Sequence, residues 1–155
     1  MIPTASTPEL ARNYAEKAVI YGLPLVLMDQ TRQTTSANIS RLTGEPARAN
    51  VFRHVRQLAN SKSRTVIRPN NDTLYSTAWL DLSQGPVRLE VPAIRDRYWI
   101  MPLMDAWTNV FAAVGSRTQV EQVSISGASW WIASAKQRAG LPAGSNIIES
   151  PTDMV

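Results

Sequence analysis

The chain is 155 residues long, enough for one ordinary domain with a single core. Its 44% hydrophobic and 18% charged residues describe a globular rather than a disordered chain, and the absence of cysteine excludes disulfides, thiolate zinc sites and a cysteine nucleophile. The net charge of +4 is scattered along the chain and is dense only between Arg48 and Arg68, so a solvated basic surface is expected and no nucleic-acid partner.

At the N-terminus, MIPTASTPEL has neither the basic region nor the apolar region of an export signal. Ser6 or Thr7 caps a helix that opens at Pro8. Leu10, Tyr14, Ala18 and Tyr21 then recur on one helical face. Gly22 and Pro24 are expected to interrupt that helix, with LVLMDQTRQ resuming as a second piece. The longest apolar run, Leu23 to Met28, is too short to cross a bilayer, so no membrane span is expected. Residues 36–49, SANISRLTGEPARA, read as a loop. In NVFRHVRQLAN the spacing of Val51, Phe52, Val55 and Leu58 predicts a short helix.

Beyond Thr65 the period changes to two. Alternation predicts strands over Thr73–Leu82, Val87–Val91, Tyr98–Met104 and Thr108–Val114, the last two parted near Asp105, and another in VEQVSISG, ending at Gly127. Strands this close, with no helices between them, imply antiparallel pairing. The fold class is therefore α+β: N-terminal helices followed by an antiparallel β-sheet or sandwich. Trp79, Trp99, Trp107, Trp130 and Trp131 read as core and interface mass rather than as platforms for sugars. The segment up to Val155 reads as the start of a further strand, an edge on which a domain seldom stops.

Familiar catalytic patterns are missing. There is one histidine, His54 in VFRHVR, and no G-x-S-x-G elbow for it to serve, so it reads as structural or solvated. Neither a phosphate loop nor G-x-G-x-x-G is present. Two polar clusters stand out at strand ends. RPNNDTLYSTAWLDL carries Arg68, Asn70, Asn71, Asp72, Thr73, Tyr75 and Ser76, and DRYWIMPLMDAWTNVF carries Asp96, Arg97, Tyr98, Asp105, Trp107, Thr108 and Asn109. If their strands pair, the clusters converge on one pocket with two carboxylates. Such a pair can do acid–base work once its environments split the pKa values, or hold calcium with asparagine oxygens. The other reading is purely structural, because Asn and Asp side chains at such turns bond their own backbone. The candidate ligand-binding residues are Asn70, Asp72, Tyr75, Tyr98, Asp105, Trp107 and Asn109. No catalytic residue, metal or cofactor is assigned.

IYGLPLVLMDQTRQ, NVFRHVRQL, RPNNDTLYSTAWLDL, VPAIRDRYWIMPLMDAWTNVFAAVGSRT and LPAG…ESPTDMV, in this order, closely resemble the bacterial DUF1254 family, a domain of unknown function. The resemblance implies a protein whose relatives continue with a tryptophan-bearing strand and commonly with a second domain, DUF1214. Residues 1–155 are thus expected to be a single DUF1254-like domain without its last strands or that second domain. It also implies a periplasmic or envelope location, since many members carry an export signal. Gly127-Ala128-Ser129-Trp130 departs from the family's usual Gly-Pro-Gly-Trp, and Asn70-Asn71 from its single asparagine. Three functions follow as expectations: binding of a small polar or carbohydrate-like ligand; an enzyme using Asp and Tyr in acid–base chemistry; or a structural, assembly module that meets a second domain or another copy of itself.

Overall fold

The structure, a computed structural model, describes residues 7–64, 67–118 and 127–155. The α+β expectation holds: among the described residues one α-helix is followed by three small sheets.

Helix α1 runs unbroken from Pro8 to Thr43. Thr7 caps it, its hydroxyl accepting from the Leu10 N–H at 3.3 Å, with Pro8 in the first turn, where a missing N–H costs nothing. The expected interruption does not occur, and Pro24 lies inside the helix. Proline removes the bond to the carbonyl four residues back, that of Ile20, whose side chain is 75% exposed on a water-facing surface. Replacing Pro24 with alanine should therefore restore that bond, raising helical circular dichroism and slowing amide exchange around Ile20. The expected loop at 36–49 is helical up to Thr43, because the terminator is Gly44, at φ 75°, whose N–H closes onto the Ser40 carbonyl at 2.9 Å.

Local ion pairing decorates the helix. Arg32 Nη2 donates to Asp29 Oδ1 at 2.6 Å, and the Gln33 amide also donates to Asp29. These bonds, that of Arg32 foremost, hold the Asp29 carboxyl below its ordinary value. A depressed carboxylate contributes stability above its unfolded-chain pKa and loses that contribution as pH falls through the lowered native value. An NMR titration should find Asp29 ionising below the usual aspartate range, and Arg32→Ala should return it upward.

Strand β1, Arg53–Val55, pairs antiparallel with β2, Tyr75–Thr77. The short helix expected over this first segment is absent. Val51, Val55 and Leu58, whose spacing suggested it, are about half exposed, and only Phe52 packs on the core. Asn50, at φ 62°, turns the chain instead. Its side-chain amide donates to the Asp81 carbonyl and accepts from the Asp81 N–H, at 3.1 and 2.8 Å. The long strand expected over Thr73–Leu82 is likewise split. β2 takes its first part, and Leu80 and Leu82 bond instead to Val155 and Asp153.

β3, Val87–Val91, pairs antiparallel with β6, Ala128–Ser134, and β6 pairs in parallel with β7, Ile147–Ser150. The alternation in β3 is clean: Leu89 and Val91 are buried, while Arg88 and Glu90 are exposed. β6 is the middle strand of its sheet. Trp130, Ile132 and Ala133 are all buried, which erases a period of two. The parallel β6–β7 pair departs from the all-antiparallel expectation. Residues 135–146, with a 3₁₀ turn at Arg138–Gly140, give it the crossover of about a dozen residues that a parallel pair needs. Gly127, at φ 77°, lets the chain enter β6 close to Val91, since a Cβ there would lie 2.6 Å from the Val91 carbonyl oxygen. The strand expected in VEQVSISG lies outside the described residues up to Gly127.

β4, Ile100–Met104, and β5, Val110–Gly115, form an antiparallel hairpin. Its inner residues Leu103 and Val114 join Leu82, Leu89, Val91, Trp130 and Ile132 in one buried cluster, so the core lies where the β3–β6–β7 sheet and the hairpin meet. The tryptophan expectation holds for Trp130, which is buried, and for Trp99, which packs against the cluster.

Candidate functional site

The hairpin tip explains the second polar cluster. Asp105 is 5% exposed. Its Oδ1 accepts from the Trp107 and Asn109 N–H groups, at 2.9 and 2.8 Å, and its Oδ2 accepts from the Asn109 side-chain amide at 3.2 Å. The backbone closes around it: the Asp105 N–H donates to the Asn109 carbonyl, and the Thr108 N–H donates to the Asp105 carbonyl at 3.0 Å. This is a three-residue hairpin loop whose last residue, Thr108, is left-handed at φ 71°. A β-branched residue rarely adopts that conformation, so the bonds to Asp105 hold a strained turn in place. The Ala106 N–H donates to Thr152 Oγ1 at 3.1 Å, and the Trp107 ring meets the Tyr21 ring of α1 with centroids 4.5 Å apart. Asp105, Trp107 and Asn109 thus act together as a fastener between hairpin, helix and the segment after β7.

The first cluster sits on the approach to β2. Asn70 organises it: its side-chain amide donates to Thr73 Oγ1 and to the Tyr75 hydroxyl, both at 2.7 Å, and its Oδ1 accepts from the Asp72 N–H at 2.8 Å. That last bond is an Asx turn, as the structural reading of Pro-Asn-Asn-Asp expects. Asn70, Asp72 and Tyr75 are all exposed. Tyr98, also exposed, carries the Arg117 guanidinium over its ring at 5.1 Å.

The convergence of the two clusters required β2 and β4 to pair. They do not: β2 pairs with β1, and β4 with β5. Within each cluster the candidates come together, Asn70 with Tyr75 and Asp105 with Asn109; between the clusters no contact ties Asp72 to Asp105. Two concavities among the described residues lie elsewhere. An open depression of about 560 Å³ is lined by Arg88, Glu90, Pro92 and Ser129 among others, and a smaller one by Leu27, Gln30, Thr31, Thr34 and Thr35 of α1. Among the described residues no group of three or more histidines and carboxylates is placed to hold a metal ion, and no helix is long and apolar enough to cross a membrane.

A larger feature escaped the sequence because the helix was expected to stop. Within α1 the residues from Ala11 to Tyr21 are exposed all the way round. Further along, Leu25, Met28, Arg32, Thr35 and Ile39 are half-buried and mark the side facing the body. Opposite them, Val19, Ile20, Leu23, Val26 and Leu27 are 49–75% exposed. At about 100° per residue these five fall within roughly a third of the helix circumference. No charged residue interrupts the segment between Lys17 and Asp29. The signal was the i, i+4, i+7, i+8 spacing from Val19, legible once Pro24 is allowed inside the helix.

Residues 49–155 match the family model described as a protein of unknown function (DUF1254). The chain belongs to the DUF1254 family. No curated protein matches it. Among solved structures, that of the VPA0106 protein from Vibrio parahaemolyticus is similar, with 26% identity and a TM-score of 0.66 over 92% of this chain. The match covers 31% of that protein's chain, so this DUF1254 chain spans about a third of the length of its solved neighbour. The family match begins at Ala49, beside the Asn50 turn, so α1 precedes it and the hairpin fastener lies within it.

Proposed function

We propose that this chain is an assembly module, a small α+β body that docks through α1 onto further folded polypeptide within a protein about three times as long. The observation that carries this reading is the uncharged stripe Val19–Ile20–Leu23–Val26–Leu27, exposed along a helix that touches the body with its other side. Burying such side chains is worth on the order of 1 kcal/mol or more each, and a contiguous apolar patch on a small domain marks a contact surface. The occupant is the additional polypeptide that a chain of the VPA0106 kind carries beyond its matched third. The polar clusters enter as scaffold, because they lie on different sheets and their groups are largely spent on one another.

The test is the behaviour of the 155-residue chain by itself. Light scattering should show open-ended association that grows with concentration, accompanied by binding of a hydrophobic dye. The combined change Val19→Glu, Leu23→Glu and Leu27→Glu should return a monomer while the cooperative unfolding transition stays put, since these side chains contribute little to the core. A dye-silent monomer that the three glutamates leave unchanged would sink the reading. A closed dimer with a single dissociation constant would assign the stripe to a second copy instead, and overturn it as well.

A further inference from the structure

The only histidine in the sequence acquires a partner through strand register. His54 of β1 and Ser76 of β2 stand directly across from each other, with His54 Nδ1 2.8 Å from Ser76 Oγ. Alternation places both on one side of the β1–β2 ribbon, and the Phe52 ring stacks on the imidazole at 6.1 Å with an interplanar angle of 20°. The imidazole therefore has an aromatic neighbour lying nearly parallel to it and a hydrogen bond at its edge, while both polar side chains stay open to solvent. A serine hydroxyl is a weak nucleophile until a base within hydrogen-bond reach takes its proton.

We propose that Ser76 and His54 form a nucleophile–base pair acting on activated esters. Ser76 Oγ bonds to the acyl carbon as its proton passes to His54 Nδ1. The ester C–O bond breaks, and the alcohol leaves with that proton. Water then attacks the acyl-serine, releasing the acid and restoring the hydroxyl. This chemistry is independent of the docking surface on α1.

A tagged fluorophosphonate tests the pair directly on the 155-residue chain: an Oγ–P bond forms, the P–F bond breaks, fluoride leaves and the proton goes to His54. Peptide mapping should place the adduct on Ser76, with the exposed Ser83 and Ser116 unmodified. His54→Gln should slow labelling at least about 100-fold, the low end of what a positioned base supplies. Adducts spread evenly over exposed serines, labelling indifferent to His54→Gln, or no labelling at all would each overturn the proposal. Mapping on the unaltered chain decides the matter even if the variant fails to fold.

Discussion

Asp105→Ala should destabilise the chain by about 2–4 kcal/mol, read as a drop in the midpoint of urea unfolding. The carboxylate is buried and accepts from two backbone N–H groups and one side-chain amide. Removing it leaves three part-buried donors without their acceptor; a fully buried donor left so costs roughly 1–3 kcal/mol, of which relaxation and water entry recover a part here. The turn it holds includes a left-handed threonine, so the loss should spread to the register of β4 and β5. Asp105→Asn keeps the shape and one acceptor oxygen and should retain about half of the stability lost by alanine, since bonds to a charged acceptor are roughly twice as strong as neutral ones. An alanine variant as stable as the parent chain would contradict the fastener role and return Asp105 to the candidates for chemistry.

Ile132→Ala should cost about 2–5 kcal/mol, the range for removing a fully buried branched side chain and leaving a cavity. Ile132 is 1% exposed, sits opposite Val87 in the central strand, and belongs to the same buried cluster as Leu82, Leu89 and Trp130. For a domain of this size the midpoint of thermal unfolding should fall by about 2–4 °C for each kcal/mol lost. Val19→Ala supplies the contrast: 65% exposed, it should leave the midpoint within error. Equal effects at the two positions would mean that the core has been misplaced.

How much of this was legible depends on what each residue was asked to reveal. β3 was readable because one face is wet and the other dry, which writes Val-Arg-Leu-Glu-Val as strict alternation. The hairpin was readable from two apolar runs, with Asp105 marking the break between them. β6 was not, because Ile132 and Ala133 are both buried and the half-buried Trp131 sits between Trp130 and Ile132, so no wet face writes a period of two. Residues 50–58 misled because helical spacing of apolar residues means little when those residues end up half exposed. Pro24 misled in the opposite sense: its steric rule is real, but an exposed carbonyl can turn to water, so the helix continues. The site reading was half legible. Local bonding around Asn70 and Asp105 follows from residue type at a turn, whereas convergence of the clusters depended on which strands pair, and composition does not encode that. The meeting of His54 and Ser76 was invisible for the same reason, since only register brings them together.

The Leu80–Val155 pairing sets an order on the protein's birth. Leu80 and Val155 exchange both backbone hydrogen bonds, at 2.8 and 3.0 Å, and the Leu82 N–H beside them donates to the Asp153 carbonyl. Contacts so distant in sequence must wait for the intervening chain. On a ribosome α1 and the β1–β2 ribbon emerge first, with their apolar residues uncovered, while the centre of the fold stays open until Val155 has cleared the exit tunnel. During that interval the nascent helix is a natural client for a chaperone that grips short uncharged stretches, and Ala18 to Met28 is where it would hold on.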